Sequence, residues 1–185
     1  GSASAEVIPM LVGSGANGKS ILMRTIIDIL GPFATSLSSS VIESGLKEYE
    51  WATLQSCRLV QIAELPQNLR ANTGVLKSLA APDPIQAAFK YGQPFTYIPF
   101  FSTFIMTNFL PTFKEMDDGT WRRLRVVRFN VTIPAERRDK TLLAKLAKER
   151  SGILNWLLEG AMRFMTNCRL TESAAVKADT AAYKL

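Results

Sequence analysis

Apolar residues follow two alternating patterns along the chain. Short segments rich in apolar residues, bounded by turn-forming or polar residues, have the length of buried strands, and they occupy residues 7–12, 58–65, 101–108 and 124–131. Apolar positions spaced three and four apart predict helices, at 19–30 before Gly31-Pro32 and at 74–81 before Pro82. Strands that alternate with helices in this way predict an α/β sandwich with a largely parallel central sheet.

Residues 85–100 have a different pattern, in which two short runs rich in aromatic residues flank a turn. We expect a β-hairpin there, with Lys90, Tyr91 and Gly92 near its tip. The spacing then becomes helical beyond Arg137 and remains so for most of the remaining sequence.

These patterns suggest three parts of the chain. Residues 1–6 lack the basic and apolar regions of a signal peptide and are interpreted as a tag or linker. Residues 7–135 hold the alternating strands and helices, and we expect them to form the core. Residues 136–185 are expected to form a C-terminal helical segment packed on that core.

Composition narrows the class of protein. Of the 185 residues 47% are apolar and 21% charged, a balance typical of a globular domain. No apolar run reaches the roughly 20 residues of a membrane helix, so we expect no membrane partner and a cytoplasmic location. Histidine is absent, which excludes His-based catalytic triads and ordinary His zinc sites.

Positive charge is concentrated in one segment. The net charge is +6, and residues 1–106 contain seven basic and seven acidic side chains, whereas residues 107–150 contain eleven basic and six acidic ones. A basic stripe suggests a phosphate-bearing partner, either a nucleotide or a nucleic acid. For residues 137–150 a solvated helix face is an equally good interpretation.

A glycine-rich loop joins the first predicted strand to the first predicted helix. Its residues match GxxxxGK[ST] at every fixed position, and they are Gly13, Ser14, Gly15, Ala16, Asn17, Gly18, Lys19 and Ser20. Backbone N–H groups of such a loop point at phosphates, while Lys19 would reach the β and γ phosphates and Ser20 would ligate Mg²⁺. We therefore predict a nucleotide site that uses Mg²⁺, although the loop alone names no reaction.

Polar residues end two of the other predicted strands. Glu64 closes the second, where a carboxylate can serve as metal ligand or as base for an attacking water, or can simply face solvent. Asn108 closes the third and could orient that water, although Asn also caps many strands. Arg122 and Arg123 precede the fourth strand, where one of them could stabilise a transferring phosphoryl group or form a salt bridge with a nearby aspartate.

Six segments in order resemble those of superfamily 3 helicases, and most closely the helicase part of phage- and plasmid-type primase–helicases. The segments are "GSGANGKS", "RLVQIAE", "LKSLAAPDPIQAAFKYGQPFTYIP", "FIMTN", "GTWRRLRVVRF" and "GILNWLLEGA". The resemblance covers nearly the whole chain. It departs from the family pattern at residues 80–83, which read Ala-Ala-Pro-Asp where the family often has a Gly-Gly-Asp turn, so the hairpin base could differ in shape.

The resemblance implies a P-loop NTPase fold of AAA+ type, a three-layer sandwich with a pore-type β-hairpin and ATP bound between the subunits of a ring, usually a hexamer. Lys19, Glu64 and Asn108 would act in cis, and Glu64 would share Mg²⁺ with the loop serine. Arg123 would be the arginine finger that enters the neighbouring site, with Arg122 as the weaker candidate.

The same resemblance assigns residues to single-stranded DNA. Lys90 and Tyr91 fall at the tip of the pore hairpin, although packing within the hairpin would equally explain Tyr91. Lys77 falls in the family motif between Glu64 and Asn108, which the resemblance makes the acid and the polar sensor, and it joins the DNA-contact candidates. A primase domain or partner is expected upstream. The expected function is an ATP-dependent replicative DNA helicase, and the alternative is an ATP-gated initiator or assembly module that binds DNA without processive unwinding.

Overall fold

A computed structural model describes residues 3–113 and 117–184. Its nine described strands are β1 Ile8–Val12, β2 Ala34–Leu37, β3 Leu59–Ala63, β4 Arg70–Ala71, β5 Ile85–Ala87, β6 Phe95–Tyr97, β7 Ser102–Thr107, β8 Thr112–Phe113 and β9 Leu124–Arg128. Its eight described α-helices are α1 Lys19–Leu30, α2 Val41–Ser44, α3 Glu48–Thr53, α4 Thr73–Ala80, α5 Asp118–Trp121, α6 Leu142–Lys148, α7 Arg150–Asn167 and α8 Ala174–Lys184.

Five strands form the central sheet in the order β2-β3-β7-β1-β9, and all four pairings are parallel. The prediction of a mixed α/β fold with a largely parallel sheet is therefore confirmed. Each of the four apolar runs contains one of these strands. The sheet gains a fifth strand at its edge, β2, whose short and partly exposed ATSL segment carries no apolar run.

The parallel order places the ends of the strands together. Val12, the last residue of β1, pairs with Thr107 of β7 on one side and with Arg128 of β9 on the other. β3 is aligned with β7 up to Ala63, which pairs with Met106. The loops that follow β1, β3 and β7 therefore leave the sheet at one edge, which is where open parallel sheets place ligand groups.

Helices cover both faces of the sheet. On one face α1 packs through Met23 against Leu11 and Leu59. The larger core includes residues of β1, β3, β7 and β9 together with residues of α2 and α4, among them Ile42 and Leu76. The two clusters bury apolar side chains from opposite faces of the same strands, as expected for a sheet covered on both faces.

The C-terminal helices are attached to the core mainly through α8. Thr180 accepts a hydrogen bond from the backbone N–H of Val126 at 2.9 Å, and Asp179 forms an ion pair with Arg128 at 3.2 Å. Helix α7 has no buried residue. Of the predicted tag or linker, Gly1 and Ser2 lie outside the described residues, while residues 3–5 form a short 3₁₀ turn.

The predicted hairpin is confirmed: β5 and β6 are antiparallel, with Gln86 opposite Thr96. Its base packs on α3, where the Tyr97 hydroxyl donates to the carbonyl of Trp51 at 2.7 Å. Burial of this phenol raises the pKa of Tyr97 to about 12. Across residues 3–113 and 117–184, every helix falls short of the length and apolarity needed to cross a membrane.

Candidate functional site

The glycine-rich loop lies between β1 and α1, at the edge of the sheet where the parallel strands end. Gly15 and Gly18 have φ angles of 108° and 89°, in the left-handed region that glycine adopts readily. Gly18 is the N-cap of α1 and no side chain caps that helix end, which leaves its first N–H groups facing the cleft. A loop with these features is suited to binding an anion.

Lys19 is the only lysine among the described residues that is buried, at 6% exposure. Its Nζ donates to the carbonyl of Gly13 at 2.5 Å and to the Asn17 side-chain oxygen at 3.1 Å. Asn17 in turn donates to the carbonyl of Phe129 at 3.2 Å. The burial lowers the pKa of Lys19. Neutral partners hold this cation, and within the described part of the chain no carboxylate pairs with it.

A cleft of about 550 Å³ joins the glycine-rich loop to the ends of β3 and β7. The predicted site residues that line it are Gly15, Ala16, Asn17, Gly18, Lys19, Ser20, Glu64 and Asn108. Residues from three separated segments of the sequence thus meet in one place. Gly13 is not among the lining residues and packs closely against Phe129, since a Cβ at this position would lie 2.6 Å from the Phe129 carbonyl oxygen.

Glu64 follows β3 directly and leaves the strand in an unusual conformation. Its φ angle is +59°, a left-handed value that is uncommon for a residue other than glycine. Its N–H still donates to the carbonyl of Met106 at 3.0 Å, which fixes the residue at the sheet edge. The exposed carboxylate faces the same cleft as the exposed hydroxyl of Ser20. Two oxygen ligands of this kind fit the preference of Mg²⁺.

Asn108 follows β7 in a turn fixed by its neighbour. The Thr107 hydroxyl donates to the carbonyl of Phe109 at 2.6 Å and accepts from the N–H of Phe109 at 3.1 Å. The backbone on both sides of Asn108 is therefore held, while the residue itself is exposed and lines the cleft.

Arg122 and Arg123 lie outside this cleft. They precede β9, whose first residue pairs with Ile8 at the start of β1, so they sit at the opposite edge of the sheet. The Arg123 Nη2 donates to the Glu6 carboxylate at 2.7 Å, and Arg122 approaches the same carboxylate at 3.3 Å. The salt-bridge interpretation therefore holds for both arginines, with Glu6 as the partner rather than Asp117 or Asp118.

Lys77 is engaged in an ion pair on the surface of α4. Its Nζ lies 2.5 Å from a carboxylate oxygen of Asp117. Asp117 also accepts from the backbone N–H and the hydroxyl of Thr120, each at 2.8 Å, and so caps α5. The bond from Lys77, together with those from Thr120, holds the pKa of Asp117 well below its usual range. Lys77 thus connects α4 to the turn that precedes Arg122.

The hairpin tip projects into solvent. Tyr91 is fully exposed and has a φ angle of +63°, so the alternative that it packs within the hairpin is wrong. The Lys90 ammonium lies 5.3 Å from the ring centroid of Tyr49 on α3.

Sequence reasoning missed Glu6 and Tyr49. Glu6 was assigned to a tag or linker, and no local pattern connects it with arginines more than a hundred positions away. Tyr49 stands in a segment without a strong apolar pattern, although the sequence Lys-Glu-Tyr carries a cation two residues before a ring, which is a weak signal.

A known family matches most of this chain. Residues 11–123, more than half of the sequence, match the family described as "Family of unknown function (DUF5906)". The match extends from β1 through the glycine-rich loop, Glu64, the hairpin and Asn108 to Arg123.

Two viral proteins are similar in sequence. The chain is 36% identical over 134 residues to "Putative helicase L207/L206" of Acanthamoeba polyphaga mimivirus. It is 30% identical over 136 residues to "Putative helicase 022R" of Frog virus 3 (isolate Goorha). The alignments cover 70% and 69% of the chain but 14% of each viral protein. The chain is thus related to segments of proteins that carry helicase names.

Solved structures of the NrS-1 C-terminal region have a similar fold. The apo structure matches with a TM-score of 0.65 and 16% identity, over 81% of this chain and 36% of that one. An A form of the same region matches with a TM-score of 0.63 and 14% identity, over 80% and 35%.

Proposed function

Since the chain belongs to the DUF5906 family of unknown function, we propose its activity from the site: it is an ATP-hydrolysing motor of a replicative DNA helicase of superfamily 3. The proposal includes a P-loop NTPase core of AAA+ type in a primase–helicase from a phage, plasmid or similar element, acting in the host cytoplasm. The observation that carries it is the cleft in which the buried Lys19 meets Glu64 and Asn108.

The site residues of one subunit would have different chemical roles. Lys19, held by Gly13 and Asn17, is placed to exchange those neutral partners for phosphate oxygens of ATP. Glu64 would accept a hydrogen bond from the attacking water and Asn108 would orient it. Mg²⁺, held by Ser20 and Glu64, would supply positive charge against the phosphate oxygens.

The finger is expected to act between subunits. The five residues of β9 span about 17 Å at ~3.3 Å per residue, so Arg123 is too far from its own cleft along the strand to enter it. A neighbouring subunit in a ring, which we propose to be a hexamer, could bring its Arg123 to this cleft. That placement would complete the site only in the assembled protein.

Single-stranded DNA is the proposed nucleic acid along which the motor moves. Lys90 would contact a phosphate and the exposed ring of Tyr91 would pack on sugar or base, while closure of neighbouring subunits moves the hairpin. Lys77, which lies on α4 before the hairpin, is the third residue that we propose to contact DNA. A primase domain or partner upstream completes the proposed assembly.

The testing experiment is ATP turnover measured against protein concentration, with and without single-stranded DNA. We expect the rate per subunit to rise with concentration and to rise again with DNA, since each site needs a neighbour. Lys19→Ala should abolish turnover, and Lys148→Ala, at an exposed position on α6, is the matched control. A rate that changes neither with protein concentration nor with added DNA would contradict the motor. ATP turnover without strand displacement on a tailed duplex would favour the alternative, an ATP-gated assembly module.

A further inference from the structure

The hairpin and α3 form one packed unit. Ala87 and Tyr97 of the hairpin are buried together with Ala52 of α3. Besides the bond from the Tyr97 hydroxyl, the N–H of Ala88 donates to the carbonyl of Glu48 at 3.4 Å. Because these contacts join the two elements at the hairpin base, residues on α3 keep a fixed position relative to the hairpin tip.

Two lysines lie over one exposed tyrosine ring on this unit. The Lys47 and Lys90 ammonium groups are 5.9 and 5.3 Å from the ring centroid of Tyr49; Lys47 is the N-cap of α3 and Lys90 lies at the hairpin tip. Tyr49 is 37% exposed. Among the described ion pairs neither lysine has a carboxylate partner. The nearby Glu50 carboxylate is turned to the helix end, where it accepts the Lys47 backbone N–H at 2.7 Å.

We propose that Tyr49 of α3 and Lys47, the N-cap of that helix, extend the hairpin's binding surface for single-stranded DNA. This α3–hairpin surface, made of Lys47, Tyr49, Lys90 and Tyr91, rests on the proposed function and enlarges its DNA site beyond the hairpin. Exposed rings offer stacking platforms that accept any base, and ammonium groups beside them neutralise the phosphates that follow. The Tyr49 ring also steers the Lys90 ammonium through a cation–π contact, so it acts on the hairpin lysine as well as on the strand.

Charge and exposure favour a single strand over a protein partner. The surface combines two cations with two exposed rings, and Phe89, stacked on Phe95 at 5.6 Å, adds a further half-exposed ring beside the tip. A duplex hides its base faces, so rings of this kind would contribute to binding only where bases are unstacked.

The test is the affinity of the 185-residue chain for a fluorescein-labelled oligo-dT, followed by anisotropy over a range of salt concentrations. Tyr49→Ala should weaken binding about fivefold or more, as expected for loss of one stacked base at ~1–3 kcal/mol. Tyr49→Phe, which keeps the ring, should restore most of the affinity. Lys47→Gln should reduce the magnitude of the slope of log K against log salt concentration by about one, as expected for loss of one phosphate contact. Phe33→Ala, which removes an exposed ring outside this surface, is the matched control.

The outcomes separate the two proposals. If the wild-type chain binds the oligonucleotide and Lys90→Ala weakens it, while Tyr49→Ala and Lys47→Gln bind as the wild type does, the extended surface is overturned and the hairpin site stands. If the wild-type chain does not bind at any salt concentration, the helicase proposal is overturned and this inference with it. Should Tyr49→Ala fail to fold, the salt dependence of Lys47→Gln decides the question.

Discussion

Arg123 is held by Glu6 within its own chain. The two side chains meet at 2.7 Å, and the Arg123 Nη1 also donates to the carbonyl of Gly119 at 2.7 Å. The arginine is buried, and its Nε has no hydrogen-bond partner among the described atoms. For Arg123 to act as the proposed finger in a neighbouring subunit, this pair would have to open.

If Arg123 acts in the site of a neighbouring subunit, its substitution should lower ATP turnover, and mixing with a second variant should restore part of it. Arg123→Ala should retain nucleotide binding and lower turnover by on the order of 10³-fold, as for other arginine fingers. Arg122→Ala, at an exposed neighbouring position, is the control. Mixing Arg123→Ala with Lys19→Ala subunits should recover part of the turnover, because each supplies what the other lacks. Absence of recovery, with mixed assembly shown by pull-down, would speak against a finger in trans.

If Arg123 is the proposed finger, Glu6→Gln should release it more readily. Loss of the ion pair lowers the free energy needed to extend Arg123, so turnover should increase, most clearly at protein concentrations where few subunits are assembled. The same change leaves a buried guanidinium poorly paired, and we expect unfolding to become easier by roughly 1–3 kcal/mol. Turnover against concentration and urea denaturation measure the two effects. Unchanged turnover in a variant with reduced stability would mean that the pair is only structural.

Much of the fold was predictable because its signal is local. Each central strand except β2 lies in a short segment rich in apolar residues, and the helices α1 and α4 carry apolar spacing and end before a proline or a Gly-Pro pair. β2 could not be found, since ATSL is short and its burial comes from its position beside β3. The predicted segments extend beyond β3 and β9, because Glu64 takes a left-handed φ of +59° and because β9 ends where its partner β1 ends, at the pair of Val12 with Arg128.

The candidate site was predictable where residues are consecutive or end a strand. The glycine-rich loop, Glu64 and Asn108 meet because parallel strands share one edge. The ion-pair partners of Arg123 and Lys77 come from distant parts of the chain, so local sequence patterns cannot predict them. Lys77, one of the two lysines assigned to DNA by resemblance, is paired with Asp117, and this pair is visible only in the three-dimensional structure.

Substitutions in the glycine-rich loop should differ in their effect on stability. Gly13→Ala places a Cβ against the Phe129 backbone, and we expect a loss of about 1–3 kcal/mol from overpacking. Gly18→Ala meets no atom within 4 Å but keeps a φ of +89°, which should cost roughly 1–2 kcal/mol. Gly160→Ala, inside α7 with open space around it, is the control and should stabilise by about 0.5–1 kcal/mol. Urea unfolding measures all three, and equal losses at Gly13 and Gly160 would contradict the packing argument.

The Lys77–Asp117 pair predicts a pH-dependent signature. Because the pKa of Asp117 is lowered in the folded state, its contribution to stability is present above the ordinary pKa of an aspartate, about 4, and is lost as pH falls through the lowered value. Lys77→Met should raise the pKa of Asp117 toward its ordinary range, with the bonds from Thr120 retaining part of the shift. Carboxyl NMR titration measures it. Lys145→Met is the control, since it should raise the pKa of Asp139 from about 2 and leave Asp117 unchanged.

Nucleotide binding should be coupled to the protonation of Lys19. Burial lowers the pKa of this ammonium in the structure, and a triphosphate beside it would favour the charged form and raise that pKa again. ATP affinity should therefore be steady near neutral pH and should decrease as pH rises through the lowered pKa. Above that point binding should take up a proton. Calorimetry in two buffers of different ionisation enthalpy, from about pH 7 to about pH 10, measures that uptake. Lys19→Arg, which stays charged throughout this range, should abolish the uptake even if it binds more weakly. Proton uptake that persists in Lys19→Arg would assign the coupling to another group.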